Sequence, residues 1–230
     1  MVKSKSSLQS SLRKSVIKAH RSRGKRVNNL WLVYSVKTDS DWIIPSDRQL
    51  IHWLYYLEAN PEVRSFDLAP SPILSEDNKE ARATELDAIV TLQNGRIEWH
   101  EVKAEKNEDH SSQITAQANA ALMENVTYKK FYDEDLKPKV KIALRWLKAI
   151  GFAASIRGEE HKPCRAELIT VMKKIKQGSV KQLLGHLRDF DNAIVHGMLV
   201  RLAISGVVHI DLEKTTYGLL TSWTYHGQKA

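Results

Sequence analysis

Apolar residues recur with period two in some stretches of this chain and with period 3.6 in others, and Pro and Gly mark the breaks. Residues 30–36 (LWLVYSV) read as a strand. Pro45-Ser46-Asp47 opens a helix with Ser46 as its N-cap, and Leu50, Ile51, Trp53, Leu54 and Leu57 give that helix an apolar face. Asn60-Pro61 ends it, because proline cannot continue the hydrogen-bond ladder. Residues 62–68 follow as a strand, and 69–82, polar and containing Pro70 and Pro72, as a loop. Residues 85–103 read as a β-hairpin: ELDAIVTL, a turn at Gln93-Asn94-Gly95, then RIEWHEVK. A polar stretch over 104–112 leads to a helix over 113–126. A stronger helix, KVKIALRWLKAIG, carries Val140, Leu144 and Leu147 on one face and is expected to stop at Gly151, leaving Phe152–Ile156 as a short strand. Strand, helix, strands, helix, strand predicts a mixed α/β layer.

Residues 159–163 are polar and form the candidate linker, and the pattern changes after them. Helices are expected over 165–176, over 180–188 with Ser179 as cap, and over 191–204, followed by two short strands, VVHIDL and GLLTSWT. Three helices and a ribbon predict a winged-helix-like domain over 161–230. It follows a first domain over 30–160 and a basic tail over 1–29, which is flexible or a short helix carrying Leu8, Leu12, Val16 and Ala19.

Composition narrows the function classes. The 230 residues are 42% hydrophobic and 27% charged, as in a globular chain. No uninterrupted apolar run reaches the ~18 residues of a membrane span, and the N-terminus lacks the apolar core of a secretory signal. A single cysteine, Cys164, excludes an internal disulfide or a Cys-cluster zinc site, so a cytoplasmic location is expected. The net charge of +8 is unevenly spread: residues 1–26 hold nine basic residues and no acid, 27–160 hold 16 basic and 22 acidic, and 161–230 hold 10 basic and 5 acidic. Basic ends flanking an acidic middle suggest a polyanionic partner.

The candidate chemistry lies in the hairpin. Asp87 starts its first strand and Glu101-Val102-Lys103 ends its second, and alternation places Glu101 and Lys103 on one face. A two-residue Asn94-Gly95 turn would set Asp87 opposite Val102, whereas a three-residue Gln93-Asn94-Gly95 turn sets it opposite Glu101. Gly95 suits the left-handed last position of the three-residue form, so both carboxylates are expected at the open end of the hairpin. Two close carboxylates repel, and a divalent cation such as Mg²⁺, with Mn²⁺ as a substitute, resolves that repulsion using oxygen ligands: Asp87, Glu101 and the Val102 carbonyl. Such a metal activates water and neutralises phosphate charge, and Lys103 beside it can orient or deprotonate that water. The same residue types also occur on solvated hairpins with no chemistry at all.

In its motifs the chain resembles the TnsA-type transposon endonucleases of heteromeric, Tn-seven-like systems, within the PD-(D/E)xK restriction-endonuclease-like superfamily. The resemblance runs over about residues 30–225. It rests on LIHWLYYLEANPEVRSF, on ELDAIVTL, on WHEVKAEK and on ALRWLKAIGFAASI, read as a helix, a Gly and a closing apolar strand. It implies an α/β fold with a restriction-endonuclease-like mixed sheet flanked by helices, plus the C-terminal winged-helix-like domain. It implies Asp87 and Glu101 as metal ligands and Lys103 as the catalytic lysine. It also implies nicking of one strand of double-stranded DNA at transposon ends, in concert with a DDE transposase and an AAA+ ATPase regulator. The family uses an acidic residue on the first helix; here the best-aligned position is near Leu50, with Asp47 or Gln49 as neighbours able to substitute. Two other readings stand beside it: a restriction- or resolvase-type PD-(D/E)xK nuclease, and a non-catalytic winged-helix DNA-binding or adaptor protein.

Other residues are expected to be structural. His100 points away from Glu101 on its strand, and Cys164, Trp31, Trp53, Trp99 and Trp146 sit in apolar patterns. For Trp223 and Tyr225, near the ribbon, packing and base stacking both stay open. The third C-terminal helix holds only Arg201 as a base, which disfavours sequence reading by that helix. No GxxxxGK loop is present, so ATP hydrolysis is not indicated.

Overall fold

The computed structural model describes residues 29–77, 80–105 and 112–227, with Lys18 and Arg21. The basic tail and most of the 104–112 loop expected from sequence lie outside the described residues. The chain opens with an antiparallel hairpin, β1 (Trp31–Ser35) and β2 (Ser40–Ile44). The second of these strands is additional to the sequence expectation, since SDWII is too short to register a period. Helix α1 (Asp47–His52) starts where expected, its cap Ser46 accepting from the Gln49 N–H. Residues Trp53–Glu58 then widen into a π-helix, with Ala59 N bonded to the Leu54 carbonyl five residues back.

After β3 (Val63–Asp67) the expected loop at 69–82 is instead a second hairpin, β4 (Ile73–Asp77) and β5 (Glu80–Thr84). Its polar composition hid it, because a hairpin held by its own ladder needs no apolar stripe. Strands β6 (Ala88–Leu92) and β7 (Ile97–Val102) form the predicted central hairpin, and α2 (Ser112–Met123) the predicted helix. Strand β8 (Thr127–Phe131) returns beside β7 in parallel, giving a four-stranded mixed sheet in the order β3-β6-β7-β8.

A short helix, α3 (Asp133–Leu136), precedes α4 (Val140–Ser155), which runs straight through Gly151. The expected stop at Gly151 and strand at 152–156 are therefore corrected. Ala143, Trp146, Ala149, Ile150 and Ala153 continue one buried 3.6-period face, and that burial outweighs the ~1 kcal/mol that Gly costs in a helix. The strand completing the sheet is β8, drawn from sequence ahead of this helix rather than after it.

The C-terminal segment comprises α5 (Lys162–Ile175), β9 (Gln177–Ser179), α6 (Val180–His186), α7 (Asn192–Ile204), β10 (Val208–Ile210) and β11 (Ser222–Tyr225). Ser179 caps α6 as predicted. The ribbon gains a third strand, its order being β10-β11-β9. Trp223 is buried, with Nε1 donating to the Ser179 carbonyl, and Cys164 packs in the core.

One hydrophobic cluster joins the underside of the sheet (Ala88, Val90, Val102, Phe131), α1 and the π-helix, α4 and α7. A smaller one, Leu86, Trp99 and Ala121, lies beneath α2 on the opposite face. The fold is thus a mixed sheet flanked by helices. Helices α4 and α7 approach closely because residue 197 is Gly: a Cβ there would stand 2.7 Å from Ile156 and 2.8 Å from the Phe152 carbonyl. Among the described residues no helix is long and apolar enough to cross a membrane.

Candidate active site

The β6–β7 turn sets the site. Leu92 N bonds the Arg96 carbonyl, Gly95 N bonds the Leu92 carbonyl, and Gly95 has φ +82°, so the turn is the three-residue Gln93-Asn94-Gly95 form. Ala88 pairs with His100 and Thr91 with Ile97, which places Asp87, one residue before β6, opposite Glu101. A one-residue change in turn length would have sent Glu101 to the other face of the sheet.

Asp87 is held from two sides. The Val102 N–H donates to its Oδ2 at 2.7 Å, and the Gln49 amide donates to its Oδ1 at 2.5 Å. Glu101 is 3% exposed, and Lys103 Nζ stands 2.7 Å from its Oε1. Both carboxyls are pushed above the usual carboxylate range. Burial is the main cause for each, and for Glu101 the Asp87 charge adds to it. The Val102 and Gln49 hydrogen bonds and the Lys103 charge oppose the shift at Asp87, as Lys103 and Gln117 do at Glu101. The two acids therefore sit in a place that does not fully compensate two negative charges.

Asp87, Glu101, Val102, Lys103 and Gln49 line one cavity of about 510 Å³, together with Glu85, His52 and an apolar wall of Ile44, Pro45, Leu68 and Leu86. The structure thus brings all four sequence-predicted site residues together. It also decides among the neighbours of the first-helix position. Leu50 is buried in the core, and Asp47 accepts from Asn29 and from Trp31 Nε1. Gln49 alone reaches the cavity and Asp87.

The site also includes a residue the sequence reading missed. Gln117, fully buried on α2, gives its Nε2 to the Glu85 carbonyl at 2.9 Å, to Thr84 Oγ1 at 3.1 Å and to Glu101 Oε2 at 3.4 Å, while the Tyr128 hydroxyl donates to its Oε1. This network orients the Glu101 carboxylate from the side opposite Lys103. The available signal was the pair Gln113 and Gln117, four residues apart and so on one helix face, with Gln113 also at the cavity.

His100 faces away from Glu101, as expected. Its Nε2 meets Glu98 at 3.1 Å and its Nδ1 meets His52 Nε2 at 3.1 Å, and Lys129 lies 2.8 Å from Glu98. Burial drives the His100 pKa down to about 4 and that of His52 well below the usual histidine range. With Glu98 accepting from Nε2, neutral His100 has only Nδ1 left as acceptor, so His52 donates from Nε2. Glu58 is a further buried carboxyl, but it accepts from Ser35 Oγ and the Val36 N–H and ties β1 to the π-helix outside the cavity.

Among the described residues no group of three or more His, Cys, Asp or Glu side chains is placed to hold a metal ion. The donors gathered around Asp87 are its own carboxylate, that of Glu101 and the Gln49 amide, all able to present oxygen. Rotating the Gln49 amide by half a turn would exchange its donor for its carbonyl at the same place. A hard divalent cation fits such a set; soft metals do not. The chain matches no protein-family model and no curated protein.

Proposed function

We propose that this protein is a metal-dependent endonuclease that hydrolyses DNA phosphodiester bonds. The observation that carries the reading is the Asp87–Glu101 carboxylate pair, both raised in pKa by burial and Glu101 further by the Asp87 charge, with Lys103 bound to Glu101 at one cavity. Asp87, Glu101, the Val102 carbonyl and the amide oxygen of Gln49 would hold Mg²⁺ or Mn²⁺, which would supply an activated water and neutralise phosphate charge. Lys103, held by Glu101, would sit beside the scissile phosphate, positioning the attacking water or stabilising charge that develops on the phosphoryl oxygens. Gln117 holds Glu101, and the Val102 N–H holds Asp87, in the orientation that this work requires.

The finer reading is a TnsA-type, cytoplasmic enzyme nicking one strand at transposon ends beside a DDE transposase and an AAA+ ATPase regulator. The mixed sheet flanked by helices and the order helix, strand, helix, helix, ribbon in a winged-helix-like C-terminal unit support it. The absence of a closing strand after α4 weakens the fourth motif on which that resemblance rests. A non-catalytic protein reading DNA through its third C-terminal helix is disfavoured, because α7 is buried along most of its length.

The test is nicking of end-containing duplex in Mg²⁺ with the partner transposase. Lys103→Ala and Asp87→Ala are expected to lose the nick made by this chain, and unchanged nicking by either variant refutes the assignment. Cleavage by the chain alone would favour a restriction- or resolvase-type enzyme.

A further inference from the structure

The C-terminal segment presents two candidate surfaces for a polyanion, and the fold closes one of them. Helix α7 would be the reading helix of a three-helix unit, but Val195–Val200 and Leu202–Ile204 are buried. Its one base, Arg201, is spent on the carbonyls of Ile156 and Glu159. Only Asn192 and Ala193, at the N-terminal end of α7, are exposed, and neither carries a charge.

The charge lies elsewhere. Residues 162–188 hold seven Lys and Arg against one acid, Glu167. Lys173 and Lys174 are exposed in the last turn of α5, Lys176 is exposed just before β9, and Lys181 is exposed in the first turn of α6. The β9–β11 ladder holds this stretch in one place: Tyr225 N bonds the Lys176 carbonyl, Lys181 N bonds the Leu219 carbonyl, and Lys176 Nζ stands 5.5 Å over the Tyr225 ring. Among the described residues none of these four lysines is in a salt bridge. Most other clustered bases here are matched: Lys103 with Glu101, Lys129 with Glu98, Lys137 with Asp133, Lys162 with Glu160. Four exposed ammonium groups without a salt bridge, on the two helices that flank β9 and on the residue just before it, present positive charge that a row of phosphates would match.

We propose that Lys173, Lys174, Lys176 and Lys181 form a docking face for the phosphate backbone of duplex DNA, replacing the buried α7 as the nucleic-acid contact of this segment. The face reads no sequence, since lysine ammonium groups meet phosphates as point charges. This rests on the reading of DNA as the substrate. It assigns to the C-terminal segment the task of holding duplex that the acidic cavity-bearing segment is ill suited to do alone.

The test is anisotropy of a labelled duplex of arbitrary sequence with the full chain, in EDTA so that no cleavage intervenes, over a series of salt concentrations. Each phosphate contact contributes about 0.9 to the slope of log affinity against log salt. Changing all four lysines to glutamine is expected to lower that slope by about 3–4 and to weaken binding on the order of 10- to 100-fold, with the thermal midpoint unchanged. The matching arginine quadruple variant is expected to keep both slope and affinity. An unaltered slope and affinity in the glutamine variant overturns the proposal. So does a wild-type chain that holds no duplex even at low salt, and an acidic protein is then the partner of this face. Duplex held with the expected slope, while end-containing duplex in Mg²⁺ with the partner transposase is never nicked by this chain, would sink the nuclease reading and leave the docking face standing.

Discussion

Replacing Glu101 by glutamine separates stability from function at the site. The substitution keeps the shape of the side chain and its contact distance to Gln117 but removes its charge. Its consequence for the metal-free chain depends on whether the Lys103 ion pair outweighs burial and the Asp87 charge. The upward pKa shift of Glu101 says that it does not. A carboxyl raised in the fold binds its proton more tightly folded than unfolded. The resulting advantage is full below the unfolded-state pKa and is lost as pH rises through the folded one. Near neutral pH the wild-type chain therefore carries an unrelieved charge, and Glu101→Gln should stabilise it by about 0.5–2 kcal/mol. For a chain of this size that is roughly a 1–8 °C higher midpoint. The gap should close toward acid, where Glu101 is itself protonated. Metal reverses the order: at 100 times its dissociation constant a cation adds about 2.7 kcal/mol to the wild type, roughly 5–11 °C, and should add little to the variant. Thermal melts in EDTA and in excess Mg²⁺, at acid and neutral pH, read all four cases. A variant that melts below wild type in EDTA at neutral pH, or one that gains as much from Mg²⁺, refutes the argument that the carboxylate pair is a cation site.

Gly197→Ala should cost about 1–3 kcal/mol, because its methyl group meets the Ile156 side chain and the Phe152 carbonyl at under 3 Å and the backbone oxygen cannot turn away; chemical denaturation would measure it, and a neutral effect would show that α4 and α7 can separate freely. His52 and His100 should both remain neutral at pH 5.5, when ordinary histidines are mostly protonated. Their neutral state makes the fold lose stability as pH falls from about 6.5 toward 4, and ring resonances of either histidine titrating near pH 6.5 by NMR would contradict the buried His52–His100–Glu98 chain.

The central hairpin was legible because its determinants are local. Gly95 accepts the left-handed φ that a three-residue turn requires, and that turn fixes the register setting Asp87 opposite Glu101. Alternation then puts Lys103 on the face of Glu101 and His100 on the other. Helix caps at Ser46 and Ser179 were equally readable, since each hydroxyl bonds a backbone N–H three residues on. Long-range burial decided the rest. Gly151 is a helix stop by propensity, yet α4 continues because Ile150 and Ala153 complete a face pressed into the core beside α7. The β4–β5 hairpin and β8 carry too few apolar residues to announce themselves, and their ladders appear only once partner strands are in place. Gln49 and Gln117 are ordinary polar helix residues until folding brings them, across 38 and 16 positions of chain, against the carboxylates of Asp87 and Glu101 respectively. The sequence by itself determined the turn, the register and the identity of the acids, because those depend on neighbours a few residues away. Only the tertiary structure decided which amides orient those acids, how far burial raises them, and that α7 faces the core rather than solvent, because each of these depends on which distant surface excludes water from the site.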